Sequence, residues 1–188
     1  MQSYDYARRQ GVCEISWDDF ARLGARLAES LALLDIDIVV GVARAGLFPA
    51  TLVACALRRE LYPVRLTRRV NDEVVFASPV WRVPVPAIVR GQRVAVVDEI
   101  ADTGETLRLV ADEVLRQGAR HVVTAALISH TWPAPPPDVT ALVSDELIIF
   151  PWDRTVLAGG EWRTHPDLVT ALAAQGSESG TRQQEGAW

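Results

Sequence analysis

The stretch VAVVDEIADTGETL, residues 94–107, joins an apolar run to a cluster of polar residues and then to a helical pattern. Val94–Val97 is continuously apolar and predicts a strand that is buried on both faces, as in a parallel sheet. Three acids and a glycine follow within the next seven residues. Thr106–Gln117 then predicts a helix that ends at Gly118, because glycine readily adopts the left-handed conformation that closes helices. The stretch therefore predicts a buried strand, an acidic turn and a helix in direct succession.

Strands and helices alternate along most of the chain. Ser16-Trp17-Asp18-Asp19 has the pattern of a capping box, and the apolar residues after it recur at helical spacing, so a surface helix with one buried face is predicted. The β-branched run Ile36–Val42 predicts a strand, and Leu47–Leu61 predicts the helix that follows it. Such alternation predicts an α/β fold in which helices flank a central, mostly parallel sheet. Further strands are predicted at Tyr62–Thr67 and Val122–Ile128, short apolar runs lie at Val139–Val143 and Leu147–Phe150, and a last helix is predicted at Pro166–Ala174.

Two segments of the chain lack the hydrophobic periodicity of a helix or a strand. Arg68–Gly91 contains three prolines and mixed charge, and it is predicted to be a long mobile lid with a small hairpin around Val74–Phe76 and Val80–Val83. Pro133–Pro137 predicts a stiff linker. A single domain is expected over residues 1–174, whereas residues 175–188 are rich in Gly, Ser and Gln and are expected to be disordered.

The composition argues against several classes of protein. The formal net charge is −5 and the sequence pI is about 5.2, so an interface with nucleic acid over the whole surface is not expected. Lysine is absent and all 19 basic side chains are arginine, which we interpret as genomic base composition rather than as a sign of anion binding. The two cysteines, Cys13 and Cys55, lack metal-site spacing and predict reduced thiols in the cytoplasm. Because the chain shows no run of 18 apolar residues and no signal peptide, neither membrane spanning nor secretion is expected.

The acidic turn lies where parallel sheets bind their ligands, at the carboxyl end of a strand. Asp98 and Glu99 are adjacent, so their side chains are expected to point in different directions and to bind external partners, such as sugar hydroxyls or a hard cation, rather than each other. Asp102–Thr106 leads into a helix whose first N–H groups have no partner within the helix, which favours a bound phosphate. The alternative is ordinary capping of that helix by Asp102 or Thr103.

The stretch at residues 94–107 resembles the phosphoribosyl-diphosphate (PRPP) binding motif of the type I phosphoribosyltransferases, and the resemblance covers about residues 35–155. It implies the fold of that family, with a flexible lid and a small hood at about residues 128–165. It implies that Asp98 and Glu99 bind the ribose hydroxyls of PRPP with Mg²⁺ nearby, although the family usually has an aspartate at the position of Glu99. It also implies that Asp102 is a catalytic general base. The implied contacts to the 5′-phosphate come from Asp102, Thr103, Gly104, Glu105 and Thr106.

A second loop, residues 41–47 with the sequence GVARAGL, resembles the diphosphate loop of the same family. Small residues allow backbone N–H groups to approach an anion closely, and Arg44 offers a charged fork. A plain strand-to-helix turn with a solvated arginine is the alternative. In the lid, Arg68 or Arg69 could neutralise diphosphate, and a solvated basic turn is the alternative there. The implied diphosphate-binding residues are Ala43, Arg44, Ala45, Gly46, Arg68 and Arg69.

The segment implied to bind the acceptor departs from the family pattern. LIIFPWDR, residues 147–154, resembles the base-binding end of xanthine-guanine phosphoribosyltransferases, but Leu147 replaces the tryptophan that would stack on a purine. His130 lies where relatives use a lysine to read the 6-oxygen of the purine, and a histidine with only a structural role is the alternative. The implied base-binding residues are His130, Leu147, Ile148, Trp152 and Asp153.

The resemblance implies a Mg²⁺-dependent transferase of purine salvage. Such an enzyme moves the 5-phosphoribosyl group from PRPP to a nitrogen of a purine-like base, here xanthine, guanine or hypoxanthine, and releases diphosphate. A different heterocyclic or specialised acceptor is one alternative, and a regulator that binds PRPP or a nucleotide without catalysis is another. Asp102, the diphosphate loop and the lid favour the enzyme, since a sensor requires none of them. The resemblance also implies a homodimer.

Overall fold

The computed structural model describes Arg9 and residues 11–70, 73–166 and 168–173. The chain divides into two compact units, Ala21–Val143 and the combination of Met1–Phe20 with Ser144–Trp188, which we call the terminal unit. The tail at residues 175–188, and Ala174 at the end of the predicted last helix, lie outside the described residues. The strands are β1 (Val12–Glu14), β2 (Ile38–Val42), β3 (Glu60–Thr67), β4 (Arg69–Val70), β5 (Glu73–Val74), β6 (Val80–Val83), β7 (Arg93–Ala101), β8 (His121–Ser129), β9 (Val139–Val143), β10 (Leu147–Ile149), β11 (Thr155–Ala158) and β12 (Glu161–Thr164), and the α-helices are α1 (Trp17–Ala32), α2 (Leu47–Leu57) and α3 (Glu105–Arg116).

A six-stranded sheet forms the centre of the Ala21–Val143 unit, in the order β6-β3-β2-β7-β8-β9. Strands β3, β2, β7, β8 and β9 run parallel to one another, and β6 pairs antiparallel with β3 at one edge. Every residue of β2 is buried, as its apolar sequence requires. The α/β fold predicted from the sequence, with a central, mostly parallel sheet, is confirmed.

Helices α2 and α3 pack tightly on this sheet. In α3, the side chains of Leu107, Val110 and Val114 are buried in one cluster with residues of β2 and β7. In β2, a Cβ at Gly41 would lie 2.8 Å from the Cβ of Ala50, so α2 lies directly on the strand. Each fully buried Val or Leu stabilises the fold by roughly 1.5–3 kcal/mol. The packing therefore holds the carboxyl ends of β2 and β7, where the two predicted binding loops begin, in fixed positions.

Strand β7 is longer than the sequence prediction of Val94–Val97. Its backbone continues to pair with β8 through Asp98 and as far as Ala101, which lies opposite Ser129. The prediction was therefore wrong in placing Asp98 and Glu99 beyond the strand. Polar side chains do not end a strand whose backbone hydrogen bonds are still made.

The helix boundaries show two different local signals. α1 begins with the predicted capping box, because the Ser16 N–H donates to Asp19 Oδ2 at 3.0 Å and the Asp19 N–H donates to Ser16 Oγ at 3.1 Å. α2 ends earlier than the predicted Leu61, because Arg58 adopts a left-handed conformation with φ of 56° and β3 begins two residues later, at Glu60.

The predicted lid segment contains more regular structure than expected. β4 pairs with β5, with Arg69 opposite Val74, and β6 pairs with β3 rather than with the segment around Val74–Phe76. The predicted pairing of the hairpin was therefore wrong. A turn of 3₁₀ helix, Ala87–Val89, leads into β7 and buries Val89.

The terminal unit joins distant parts of the sequence. β1 runs parallel to β10, and β11 forms an antiparallel hairpin with β12; neither β1 nor the hairpin is predicted from the sequence. Residues 168–173 are helical, and Leu168 and Ala171 pack in a small apolar cluster with Val12, Leu147 and Ile149. Among the described residues, no helix is long and apolar enough to cross a membrane.

Candidate active site

Asp98 is a buried carboxyl group at the carboxyl end of β7, and only 6% of the residue is exposed. Its Oδ1 accepts a hydrogen bond from the backbone N–H of Glu99 at 3.0 Å. A Cβ added to Gly46 would lie 2.5 Å from the same Oδ1 and 2.5 Å from the Val42 carbonyl oxygen. Because no real Cβ comes so close, Gly46 is the residue that allows the loop after β2 to meet the acidic end of β7.

The carboxyl groups of Asp98 and Glu99 interact with each other. Burial, repulsion from the Glu99 carboxylate and a hydrogen bond between the two side chains together hold the pKa of Asp98 well above its ordinary value of 3.8, against a smaller lowering by the Glu99 N–H. The expectation that these neighbours point apart is therefore wrong, because the Asp98 carboxyl turns back toward the Glu99 backbone. In the described part of the chain, neither carboxyl forms an ion pair.

The loop between β2 and α2 contains the residues implied to bind diphosphate. The Ala43–Arg44 peptide bond is cis, and the Arg44 side chain is exposed. The N–H of Ala43 donates to the Val64 carbonyl at 2.7 Å, so this amide is used within the sheet. Ala45 is half-buried, and Gly46 is the residue immediately before α2. The loop is thus a tight strand-to-helix turn that places Arg44 at the surface and Gly46 against Asp98.

The turn between β7 and α3 contains the residues implied to bind the 5′-phosphate. Gly104 has a φ of 75°, a conformation that side chains with a Cβ rarely adopt. It precedes α3 and provides no side-chain cap, while the Thr103 hydroxyl oxygen accepts a long hydrogen bond of 3.3 Å from the Glu105 N–H. Ordinary capping by Thr103 therefore accounts for one amide at the start of α3. Thr106 is half-buried in the first turn.

The loop after β8 closes over this turn. A Cβ at Gly104 would lie 3.2 Å from the Pro135 carbonyl oxygen and 3.3 Å from the Cβ of Pro133, so the two loops are in contact. The Ala134–Pro135 peptide bond is cis. The predicted stiff linker thus packs against the turn that leads into α3.

His130 and Trp132 form a stacked pair beside Asp102. The imidazole is fully buried, and its Nε2 lies 3.7 Å from Asp102 Oδ1. The Trp132 ring stacks on it with centroids 4.3 Å apart and an interplanar angle of 17°, and 48% of Trp132 is exposed. The sequence interpretation missed Trp132, although an aromatic residue two positions beyond a candidate site histidine, at the end of a buried strand, is a usable signal.

Arg68, one of the two lid arginines implied to bind diphosphate, bonds to a neighbouring part of the lid. Arg68 donates from Nε to the Phe76 carbonyl at 3.2 Å, and its own carbonyl accepts from the N–H groups of Val75 and Phe76. Arg82 lies over the Phe76 ring at 5.3 Å from the centroid. Only the backbone of Arg69, in β4, is described. Arg68 thus joins the residue before β4 to the residues after β5 in this conformation.

The remaining residues implied to bind the base belong to the terminal unit. Leu147 is buried in its apolar cluster, Ile148 is half-buried in β10, and Asp153 is exposed. Trp152 stacks in parallel on Phe150, with centroids 4.8 Å apart. The same indole contacts Phe20 at 5.4 Å and Trp17 at 6.0 Å between ring centroids, so it belongs to an aromatic cluster.

Comparisons with known proteins identify the family. The chain matches the phosphoribosyl transferase domain family over residues 16–158, and we conclude that it belongs to this family. The crystal structure of a purine phosphoribosyltransferase from Pyrococcus horikoshii superposes with a TM-score of 0.67 at 31% identity, over 75% of this chain and 93% of that one. The resemblance deduced from the PRPP motif is thereby confirmed.

Two curated relatives match shorter parts of the chain. The transcriptional regulator GfcR of Thermoplasma acidophilum is 34% identical over 95 residues, which cover 50% of this chain and 44% of the relative. The adenine phosphoribosyltransferase of Clostridium novyi is 31% identical over 112 residues, which cover 56% of this chain and 65% of the relative. The chain thus spans less than two thirds of either relative.

Proposed function

We propose that the protein transfers the 5-phosphoribosyl group of PRPP to a ring nitrogen of a purine-like base. The bond between ribose C1 and the diphosphate oxygen breaks, the bond between the base nitrogen and C1 forms, and diphosphate leaves. One observation supports this proposal above the others. Gly46 allows the loop after β2 to lie against Asp98, which unites the candidate diphosphate loop with the candidate ribose-binding acids.

The site residues have separate roles in this proposal. Asp98 and Glu99 bind the two ribose hydroxyls, and the turn from Asp102 to Thr106 binds the 5′-phosphate with the N–H groups that begin α3. The loop after β2 binds the diphosphate with the backbone of Arg44 to Gly46 and with the Arg44 side chain, whereas the Ala43 N–H stays bonded to Val64; Arg68 adds a charge from the lid. A closed lid excludes water from the cation-like sugar that forms as diphosphate departs.

A divalent cation fits the pair formed by Asp98 and Glu99. Their mutual repulsion contributes to the raised pKa of Asp98, and a cation would relieve it. Within the described residues no group of three or more His, Cys, Asp or Glu side chains is arranged to hold a metal. Magnesium commonly binds through one or two carboxylates together with substrate phosphates. When bound, Mg²⁺ neutralises charge on the diphosphate.

Asp102 is the proposed general base, which removes the proton from the acceptor nitrogen as that nitrogen bonds to C1. About a quarter of its side chain, 27%, is exposed, so a ligand can reach it. The buried His130 beside it cannot contact a base directly in this conformation, and we assign it to positioning the Asp102 carboxyl. Trp132, stacked on His130, offers an exposed aromatic ring on which a base can stack, which Leu147 cannot provide.

The direct test is a diphosphate-release assay with PRPP and Mg²⁺. The panel of acceptors should include adenine, because a relative is an adenine phosphoribosyltransferase, as well as xanthine, guanine, hypoxanthine and non-purine heterocycles. At least one acceptor should release diphosphate and form the corresponding nucleotide. No product with any acceptor, in the presence of demonstrated PRPP binding, would exclude the transferase.

Replacing Trp132 by Ala should raise the KM for the acceptor about 5- to 150-fold, because stacking of a base on an aromatic side chain contributes about 1–3 kcal/mol. The KM for PRPP should change little, because PRPP is bound by the other loops. Trp132→Phe, which keeps an aromatic ring, should restore most of the acceptor affinity. Equal changes in both KM values, measured by steady-state kinetics, would contradict a stacking role.

A regulatory function is the second candidate, and the similarity to the transcriptional regulator GfcR favours it. A regulator would use the same loops to bind PRPP or a nucleotide without turnover. Ligands that bind the native state raise the melting temperature by mass action, so a thermal-shift series would detect such binding. A rise with PRPP but no diphosphate release with any acceptor would support the regulator over the enzyme.

A further inference from the structure

The chain segments implied to bind the purine contain no permanently charged hydrogen-bond donor. From His121 to Asp153 the sequence has neither arginine nor lysine, although the whole chain has 19 arginines. His130 does not replace them, because its imidazole is fully buried and does not reach a ligand in this conformation. The same stretch has four carboxyl groups, those of Asp138, Asp145, Glu146 and Asp153. These segments therefore offer a ligand many oxygen atoms that accept hydrogen bonds and few groups that donate them.

The loop after β8, residues 131–137, is also poor in backbone donors. Four of its seven residues are proline, and each proline contributes a carbonyl oxygen but no N–H group. The loop consequently has seven carbonyl oxygens and only three N–H groups, which belong to Thr131, Trp132 and Ala134. A ligand that contacts this backbone therefore meets mostly oxygen atoms, and it must supply the donors itself.

This proline-rich loop lies beside the proposed general base. The Pro135 carbonyl oxygen would be 3.2 Å from a Cβ added to Gly104, in the turn that contains Asp102. Near the beginning of the loop, the Trp132 ring stacks on His130, whose Nε2 lies 3.7 Å from Asp102 Oδ1. A purine that stacks on Trp132 with its reacting nitrogen at Asp102 is therefore next to the loop, and its exocyclic groups meet the carbonyl oxygens there.

We propose that the site selects a purine whose exocyclic groups are amino groups, such as adenine, over one that carries oxo groups, such as hypoxanthine or xanthine. An amino group donates two hydrogen bonds to carbonyl or carboxylate oxygens. An oxo group only accepts, so among these oxygens it is buried without a donor, even though hypoxanthine can still donate from its ring N–H. The inference rests on the ligand site of the proposed function and specifies its substrate class. With adenine, the ring nitrogen loses its proton to Asp102 and bonds to ribose C1, diphosphate leaves, and the product is AMP.

The first test compares adenine with hypoxanthine, two purines of nearly equal size and shape. With saturating PRPP and Mg²⁺, kcat/KM for adenine should exceed that for hypoxanthine about 5- to 150-fold, which is the usual effect of one buried polar group left without a hydrogen bond. 2,6-Diaminopurine should likewise be preferred over xanthine, which carries two oxo groups. Equal values of kcat/KM, or a preference for the oxopurines, would overturn the proposal and leave the transferase activity established.

Binding of the product nucleotides tests the same selectivity without catalysis. AMP should bind about 5- to 150-fold more tightly than IMP in isothermal titration calorimetry. Tighter binding of AMP without diphosphate release from any acceptor would support the inferred selectivity and exclude the transferase. Equal affinities, tighter binding of IMP, or binding of neither nucleotide would overturn the inference.

Ala134→Lys tests whether the loop after β8 reads the exocyclic group. Ala134 is exposed, and a lysine there adds a charged donor that an oxo group can accept. The ratio of kcat/KM for adenine to that for hypoxanthine should fall at least about fivefold. Ala56→Lys is the matched control, because Ala56 is exposed in the last turn of α2, at the opposite edge of the sheet, and this variant should keep the ratio of the wild type. An unchanged ratio in Ala134→Lys would show that the loop does not contact the exocyclic group, which overturns the proposal.

Discussion

Replacing Asp98 by Asn should make the ligand-free protein more stable and its activity much weaker. Asparagine has nearly the same shape, and its side-chain oxygen can still accept the hydrogen bond from the Glu99 N–H. The substitution removes a buried group whose ionised form is penalised by burial and by the Glu99 carboxylate. Each kcal/mol of unfolding free energy recovered should raise the melting temperature by about 2–4 °C. The PRPP affinity should fall on the order of 10- to 100-fold, because a hydrogen bond from a ribose hydroxyl to a charged acceptor is lost.

The pH dependence of this stability gain has a defined sign. Because the pKa of Asp98 is raised in the folded protein, the folded state retains the proton at pH values where the unfolded chain has released it. The loss of unfolding free energy caused by Asp98 is therefore absent below the ordinary pKa of 3.8, and it grows as the pH rises toward and through the folded pKa. Urea denaturation in EDTA over a pH series should show wild type and Asp98→Asn converging in acid and diverging toward neutral pH.

Glu99→Gln is the matched control for this experiment. It removes the repulsion between the two carboxyls but leaves the burial of Asp98, which is the larger cause of the raised pKa. Its gain in unfolding free energy should therefore be smaller than that of Asp98→Asn at neutral pH. An Asp98→Asn protein that is less stable than the wild type at neutral pH would show that the carboxylate has a favourable partner in the folded chain.

The parts of the fold that follow from the sequence are those decided by local pattern. The apolar run at Val94–Val97 and the capping box at Ser16 each contain their own signal within a few residues, and both elements form, although β7 extends beyond the predicted run to Ala101. The pairing of β1 with β10 joins Val12 to Leu147, and no local pattern in a three-residue strand reveals a partner so distant in sequence. The hairpin at Gly159 is different, because two glycines between β-prone residues are a recognisable turn signal that the sequence interpretation did not use.

The candidate site was predictable in its residue types and not in its contacts. The PRPP motif indicates Asp98, Glu99 and Asp102 because all three lie within a few residues of each other, at the end of one strand and in the turn that follows it. The burial of His130 beneath Trp132 depends on how the loop after β8 folds against the loop after β7. The interaction between the two adjacent acids depends on a rotation of the Asp98 side chain toward its own backbone, which residue spacing cannot specify.

Replacing Asp102 by Asn should lower the rate of the chemical step about 100- to 10,000-fold, the usual contribution of a general base. Asparagine keeps the size and hydrogen-bonding capacity of the side chain, so the turn into α3 and its backbone N–H groups should remain in place. The dissociation constant for PRPP should consequently change little. Single-turnover kinetics with the best acceptor would measure the chemical step without a contribution from product release.

Thr103→Val distinguishes a catalytic role for Asp102 from general damage to the turn. Thr103 lies next to Asp102, and its hydroxyl accepts a hydrogen bond from the Glu105 N–H, so its loss should weaken phosphate binding rather than proton transfer. We expect a raised dissociation constant for PRPP and a nearly unchanged rate at saturation for this variant, the reverse of the result for Asp102→Asn. If both variants lose rate and affinity in the same proportion, Asp102 acts by shaping the turn, and the proton leaves the acceptor by another route.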